Sequence, residues 1–126
     1  MRIGELAEKA GVTPRTIRYY ENLGLLKPSE REGKGFRYYT EAELARLHKI
    51  YTLQALGLTL EEIGSIIDLF FEEPTMLRGK QKLLEILIAH LKETDEKIES
   101  LIQFRSVLQH HIAKIQQWIE EQTKSQ

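Results

Sequence analysis

Cationic and phenolic side chains are concentrated in two short segments near the start of the chain. The first segment, residues 17–25, reads IRYYENLGL and predicts a short helix that ends at a glycine. The second, residues 35–39, reads GFRYY and predicts the second strand of a hairpin whose turn is Gly33-Lys34-Gly35. Arginine and tyrosine side chains bind phosphate oxygens and base edges. A helix and a basic hairpin that both present them predict a surface that binds a DNA groove and the phosphates beside it.

The first of these helices has a partner immediately before it in the chain. Residues 3–10 place their apolar side chains on one helical face, and Gly11 ends that helix. Thr13 is a good N-cap, and Pro14 occupies the first helical position, so the second helix is expected over residues 14–23. The pair predicts a helix-turn-helix. We expect Ile17 and Leu23 to face inward and the following side chains to stay outside: Arg15, Thr16, Arg18 and Tyr19.

Two further helices are predicted after the hairpin. Capping boxes at residues 40–43 and 59–62 open a third helix, which ends at Gly57, and a fourth, which ends near Phe71. This second helical pair repeats the architecture of the first pair without its charge.

The remainder of the chain reads as one long helix with a heptad pattern. Residues 80–122 contain neither glycine nor proline, and nine of the eleven seam positions are aliphatic, with Thr94 and Arg105 as the two polar exceptions. A helix of this length would reach about 65 Å, and its apolar stripe needs a partner. The pattern predicts dimerisation through a coiled coil. The seam residues expected to carry it are Leu84, Leu87, Leu91, Ile98, Leu101, Leu108, Ile112 and Ile115.

Composition excludes several classes of protein. The 126 residues are 41% hydrophobic and 29% charged, so a folded chain is expected. No stretch approaches the ~20 apolar residues of a membrane span, and residues 1–5 have no signal-peptide core, so we expect a cytoplasmic protein. Cysteine is absent, which excludes disulfides, thiolate metal sites and thiol redox sensing.

The charge is unevenly distributed along the chain. Residues 1–50 hold ten Lys or Arg against seven Asp or Glu, whereas residues 51–126 hold eight against twelve. A nucleic-acid surface near the N-terminus would produce this pattern, although a solvated basic face would produce it too.

In order and spacing, the sequence resembles the MerR (mercury-resistance regulator) family over roughly residues 2–70. The resemblance lies in IGELA at 3–7, GVT at 11–13, TIRYYE at 16–21, GLL at 24–26, the hairpin at 31–39 and LGLTLEEI at 56–63. It implies a winged-helix DNA-binding domain, an antiparallel dimerisation coiled coil, and a two-fold dimer that reads a pseudo-palindrome. It also implies a regulator that kinks and untwists an overspaced promoter for RNA polymerase.

Roles for individual side chains follow from this resemblance as hypotheses. Thr13, Arg15 and Thr16 would reach base edges and flanking phosphates, and Arg18 and Tyr19 would bind phosphates. On the hairpin, Arg37 and Tyr38 would hold the backbone or the minor groove, with Lys34 adding charge at the turn. The alternative for Arg18 and Arg37 is a surface cation or an ion pair. Tyr20 and Tyr39 are expected to pack inward with their hydroxyls at the rim of the core.

The effector that such a regulator would sense is not specified by the sequence. Family members that sense metals do so through cysteines, and this chain has none. In an antiparallel pair centred near Leu101, His90 of one chain would approach His111 of the other, which leaves zinc or nickel conceivable. Apolar residues outside the seam could instead line a small-molecule pocket near Phe70 and Phe71. Arg105 could meet an anionic effector, although a role in setting register is the commoner use of a polar seam residue.

These observations predict a mainly α fold: a winged helix-turn-helix domain with a connecting helical pair over residues 1–73, and a dimerisation helix over 74–126. The predicted function is a homodimeric, sequence-specific transcriptional regulator without cofactor, whose partners are double-stranded promoter DNA and, through it, RNA polymerase. A nucleoid-organising protein is the alternative, and a coiled-coil adaptor is a third reading. No phosphate-binding loop or nucleophile-base set is present, so no enzyme is predicted.

Overall fold

The computed structural model describes residues 1–28, 30–32 and 36–125 and has the predicted mainly helical architecture. Two compact units are present, Met1–Leu83 and Leu84–Gln126. The functional division into residues 1–73 and 74–126 stays a prediction. In the ranges just given, no helix is long and apolar enough to cross a membrane. The elements are α1 (Ile3–Ala10), α2 (Pro14–Asn22), β1 (Glu30–Glu32), β2 (Phe36–Tyr38), α3 (Glu41–Ala55), α4 (Leu60–Ile66), a 3-10 turn (Ile67–Phe71) and α5 (Leu77–Lys124).

The first two helices form the predicted helix-turn-helix. Helix α1 ends at Gly11, whose φ of 71° lies in the left-handed region that glycine adopts without steric cost. The hydroxyl of Thr13 accepts a hydrogen bond from the backbone N–H of Thr16 at 3.1 Å, and Pro14 occupies the first turn of α2. The N-cap therefore fixes where α2 begins.

One expectation for α2 is wrong. Ile17 is fully buried as predicted, but Leu23 is 47% exposed. Helix α2 ends one residue earlier than expected, and the chain turns at Gly24, whose φ is 78°. This turn places Leu25 and Leu26 in the core instead of Leu23.

Both predicted capping boxes are present. At the start of α4, the backbone N–H of Thr59 donates to Oε1 of Glu62 at 2.9 Å, and the N–H of Glu62 donates to Oγ1 of Thr59 at 3.1 Å. At the start of α3, the N–H of Thr40 donates to Oε2 of Glu43 at 2.6 Å. These caps fix the residues at which α3 and α4 begin. Both helices contribute to one apolar core, whose buried members are Leu6, Ala7, Ile17, Leu25, Leu26, Tyr39, Leu47, Ile50, Leu53, Leu58, Ile63, Ile66, Ile67 and Phe70.

The hairpin pairs β1 and β2 in antiparallel register, with Arg31 opposite Arg37. The predicted turn at residues 33–35, including Lys34, lies outside the described residues. Beyond β2, the backbone N–H of Tyr39 donates to the carbonyl of Met1 at 2.7 Å. The second strand is thus attached to the start of the helix-turn-helix.

Helix α5 is longer than the sequence pattern predicts, because it begins at Leu77 rather than near residue 80. The carboxylate of Glu73 accepts a hydrogen bond from the backbone N–H of Leu77 at 2.7 Å. Hydrogen bonds from the Thr75 hydroxyl and from the backbone N–H groups of Leu77 and Thr75 lower the pKa of the Glu73 carboxyl. One turn into the helix, Gly79 is buried against the ring of Phe70. A β-carbon at Gly79 would lie 2.7 Å from ring atoms, so only glycine fits there without displacement.

Candidate nucleic-acid interface

The exposed face of α2 carries a compact set of side chains suited to phosphate. Arg15, Arg18 and Tyr19 are spaced i, i+3 and i+4, so they lie on one face of the helix. Both arginines are exposed, and Tyr19 is 51% exposed. Among the residues that the structure describes, neither arginine has an ion-pair or hydrogen-bond partner. Their charges are therefore available to an anionic ligand.

The two threonines at the start of α2 have different surroundings. Thr13 is exposed, but its hydroxyl already caps the helix and lies 3.0 Å from the hydroxyl of Thr16. Thr16 is half-buried. The helix N-terminus also presents backbone N–H groups and a positive dipole end, which favour a phosphate beside them. A structural role for Thr13 is thus present in the fold, and base contact by either threonine stays a prediction.

Arg37 is held by an acidic residue of α2. Its Nη1 lies 2.9 Å from Oε1 of Glu21, and the Tyr39 hydroxyl donates to the same oxygen at 2.9 Å. The Glu21 side chain is only 8% exposed, whereas that of Arg37 is 40% exposed. The ion pair considered as the alternative for Arg37 is therefore present. A guanidinium has five N–H donors, so this pair does not exhaust its capacity to bind phosphate.

Glu21 accepts hydrogen bonds from Arg37 and Tyr39, a role that the sequence did not indicate. Its carboxylate joins α2 to strand β2 and to the residue after it, and so fixes the hairpin relative to the helix-turn-helix. Glu21 and Arg37 are 16 positions apart in the sequence, a separation that gives no periodic signal for such a pair. The alternation of basic and acidic residues in the hairpin offers several equally plausible partners.

The tyrosines divide into buried and exposed groups. Tyr39 is fully buried, and desolvation, reinforced by its hydrogen bond to Glu21, raises the pKa of its hydroxyl to about 12. Tyr20 is half-buried and donates to Oε1 of Gln54 at 3.2 Å. Tyr38 is 36% exposed and lies on the hairpin. The expected inward packing is confirmed for Tyr39, whereas Tyr20 is only half-buried, and Tyr38 and Tyr19 remain on the surface.

The second unit exposes a long apolar stripe. With the exception of Leu87, which lies near the start of the unit and is half-buried, its aliphatic seam residues are between 47% and 66% exposed in the single chain. Monomeric proteins rarely expose contiguous apolar patches of this extent. The exposed members are Leu84, Leu91, Ile98, Leu101, Leu108, Ile112, Ile115 and Ile119.

The structure of a single chain tests two of the effector hypotheses only in part. Within the described ranges of one chain, no three His, Cys, Asp or Glu side chains lie close enough to hold a metal ion. The approach of His90 to His111 needs two chains and stays a prediction. A cavity of about 380 Å³ borders Phe71, and its walls, which include Lys27 and Arg46, belong to the first unit. The pocket expected between the coil and α4 stays a prediction.

A helix-turn-helix, a hairpin fixed beside it and an exposed heptad helix together define a class, the dimeric winged-helix DNA-binding regulators. Residues 1–69 match the family model described as MerR HTH family regulatory protein, and residues 44–111 match the one described as MerR, DNA binding. The chain belongs to the MerR family of transcriptional regulators. The resemblance noted in the sequence is thereby confirmed.

Individual relatives agree with this assignment. The chain is 39% identical over 107 residues to a mercuric resistance operon regulatory protein from Bacillus cereus, covering 85% of this chain and 79% of that one. It is similar to the lead(II) complex of the regulator PbrR691 from Ralstonia metallidurans CH34, at 35% identity and a TM-score of 0.64 over 82% and 80% of the two chains. An EcmrR–DNA complex is similar at 29% identity and a TM-score of 0.59, over 87% of this chain and 39% of that one.

Proposed function

We propose that two copies of this chain bind a pseudo-palindromic promoter and distort its DNA to control transcription, acting on RNA polymerase only through the DNA. The observation that carries the proposal is the exposed Arg15, Arg18 and Tyr19 face of α2, beside a hairpin that Glu21 holds in place. The relative solved as a DNA complex supports DNA as the partner. A DNA-binding regulator of this kind acts in the cytoplasm and has no catalytic step of its own.

The remaining contact roles belong to the same proposal. Tyr38 and the guanidinium N–H groups of Arg37 that do not bond Glu21 bind the phosphate backbone or minor groove beside the α2 contacts. Lys34, in the turn predicted from the sequence, adds charge. Thr13 and Thr16 lie where α2 enters the groove. Residues 1–73 form the DNA-binding part, and 74–126 join the two copies.

The charges available are of the size that DNA distortion requires. Bending a site of 20–30 base pairs costs about 1–6 kcal/mol. Each phosphate that a cation neutralises contributes about 1 kcal/mol at physiological salt through counterion release. Arg15 and Arg18 in two copies neutralise four phosphates and so contribute about 4 kcal/mol. Contacts on both half-sites therefore offset most of the range of the deformation cost, whereas one half-site, at about 2 kcal/mol, offsets only its lower part.

Replacing Arg18 by alanine tests the proposal. Log affinity falls with log salt by about 0.9 per phosphate contact, so loss of two contacts per dimer should reduce the slope by about 2 and weaken binding for all sequences. Fluorescence anisotropy with a labelled duplex at 50–300 mM salt measures both quantities.

Lys114→Ala is the matched control, because Lys114 is an exposed cation on α5. It should leave affinity and slope unchanged. An unaltered slope in Arg18→Ala would refute the phosphate role of Arg18, and equal effects of the two variants would indicate only a loss of net charge.

A further inference from the structure

The apolar seam of the second unit is interrupted at two positions. In the heptads that begin with Leu84 at position a, Arg105 is an a residue and Thr94 is a d residue, and both are exposed in the single chain. The Thr94 hydroxyl donates to the carbonyl of His90 at 2.8 Å. Its oxygen lone pairs can still accept a hydrogen bond. A partner helix must accommodate both polar groups, because an unpaired charge in an apolar seam is costly.

Antiparallel pairing allows only a few registers. Each a residue of one helix faces a d residue of the other, so the numbers of two facing residues have a constant sum, and neighbouring registers differ by seven residues. One register places the two-fold axis between Glu99 and Ser100. There, Arg105 faces Thr94 of the partner subunit. The four layers inside the seam are aliphatic: Leu84 with Ile115 of the partner subunit, Leu87 with Ile112 of the partner subunit, Leu91 with Leu108 of the partner subunit, and Ile98 with Leu101 of the partner subunit. At the end of the seam, Ile119 faces Lys80 of the partner subunit.

The two neighbouring registers place Arg105 and Thr94 opposite aliphatic residues. A shift of one heptad towards the N-terminus places Arg105 against the partner's Leu87 and Thr94 against the partner's Ile98. Beside the seam of an antiparallel pair, e residues lie against e residues and g residues against g residues. The same shift therefore brings Asp95, an e residue, and Lys97, a g residue, each against its own symmetry copy, so like charges meet. A shift towards the C-terminus instead places Arg105 against the partner's Leu101. Both shifts leave a guanidinium in an aliphatic layer, where its desolvation is not compensated.

We propose that a second copy of this chain covers the seam in antiparallel orientation, with the two-fold axis between Glu99 and Ser100 and Arg105 of each chain bonded to Thr94 of the other. This inference rests on the dimer in the proposed function and adds its register. The Arg105 guanidinium donates to the Thr94 hydroxyl, which in turn donates to the carbonyl of His90. The two polar pairs select this register over its neighbours, as polar seam residues do in other coiled coils.

The absence of cysteine makes the register directly measurable. Leu91→Cys/Leu108→Cys places two thiols opposite each other in the proposed register, within the Cα separation that a disulfide spans. Leu91→Cys/Leu101→Cys and Leu91→Cys/Ile115→Cys report the two shifted registers, and Leu91→Cys alone reports a parallel coil. Each full-length variant is oxidised and resolved by non-reducing electrophoresis.

We expect Leu91→Cys/Leu108→Cys to form a covalent dimer and the other three variants to form at least tenfold less of it. Predominant cross-linking of a shifted pair, or of Leu91→Cys alone, would overturn the register while leaving the dimer intact. If no variant cross-links, light scattering of the unsubstituted chain separates the two failures. A dimer there refutes this register, whereas a monomer refutes the proposed dimer itself.

A second variant tests the Arg105 contact without disulfides. Thr94→Glu should raise the midpoint of thermal unfolding, because it places a carboxylate opposite the partner's Arg105. In an Arg105→Leu background the same change should lower the midpoint, since the carboxylate then faces leucine. A fall in both backgrounds would contradict the pairing. Protein concentration is kept constant, because the unfolding of a dimer depends on it.

Discussion

Replacing Glu21 by alanine removes the acceptor that holds the hairpin against α2. Oε1 of Glu21 accepts from Nη1 of Arg37 and from the hydroxyl of Tyr39, each at 2.9 Å. The Tyr39 side chain is fully buried, so its hydroxyl would be left without an acceptor in a region that water does not reach. The Arg37 side chain is 40% exposed and can be rehydrated.

These surroundings determine how much stability the Glu21→Ala variant should lose. A buried hydrogen bond to a charged acceptor contributes about 1.5–3 kcal/mol, which applies to Tyr39. A partly exposed ion pair contributes about 0.5–1 kcal/mol, which applies to Arg37 after allowance for solvent screening. Glu21→Ala should therefore lower the free energy of unfolding by about 2–4 kcal/mol, a large share of the 5–15 kcal/mol typical of a domain. Glu21→Gln keeps the oxygen acceptor and should lose about half as much.

Urea unfolding followed by circular dichroism, at one protein concentration, measures the loss. Glu8→Ala is the control, because Glu8 is an exposed glutamate of α1 and its removal should change stability by less than about 0.5 kcal/mol. In a double-mutant cycle, Arg37→Ala should cost less in the Glu21→Ala background than in the unsubstituted chain. A Glu21→Ala loss no larger than that of Glu8→Ala would refute the structural role of Glu21.

The other predictions concern packing and pH. Gly79→Ala should lower stability by about 1 kcal/mol, because a clash with the Phe70 ring (about 1–3 kcal/mol) exceeds the gain in helix propensity (about 1 kcal/mol). Gly4→Ala, where a β-carbon meets nothing within 4 Å, should instead stabilise, and a gain at both positions in urea unfolding would contradict the close packing. The pKa of Tyr39, about 12, lies above the ordinary 10. The neutral Tyr39 hydroxyl therefore stabilises the folded state fully below pH 10, and this contribution is lost between pH 10 and 12. In urea titrations at pH 9–12, the free energy of unfolding of the Tyr39→Phe variant should fall less with rising pH, because the phenol that ionises on unfolding is gone. A fall as steep as in the unsubstituted chain would contradict the buried hydrogen bond.

Local signals in the sequence were sufficient to predict most of the elements. Thr13 and Pro14 fix the start of α2, and the capping boxes at residues 40–43 and 59–62 fix α3 and α4, because each cap depends on residues within one helical turn. The start of α5 was misplaced because its cap is the Glu73 carboxylate, and Gly79 lies inside the helix against Phe70. A glycine required by tertiary packing has the same sequence signature as one that ends a helix.

The candidate interface was predictable only in part. The spacing of Arg15, Arg18 and Tyr19 follows from helical periodicity, so their shared face could be read from the sequence. The contact between Glu21 and Arg37 joins two elements through tertiary structure, and no periodic pattern encodes it. The register of the coil lies between these cases, since heptads restrict it to a few values, and the proposed register is the one that pairs the two polar seam positions.

The most direct test of the proposed promoter-distorting dimer is a genome-wide pull-down of DNA bound to this protein in its host, followed by footprinting of the strongest site. The predicted result is one dominant pseudo-palindromic site, protected symmetrically on both half-sites, lying between promoter elements that are spaced too far apart for RNA polymerase. Many scattered sites of similar strength, with no promoter bias and no two-fold symmetry, would contradict the proposal and indicate a nucleoid-organising protein.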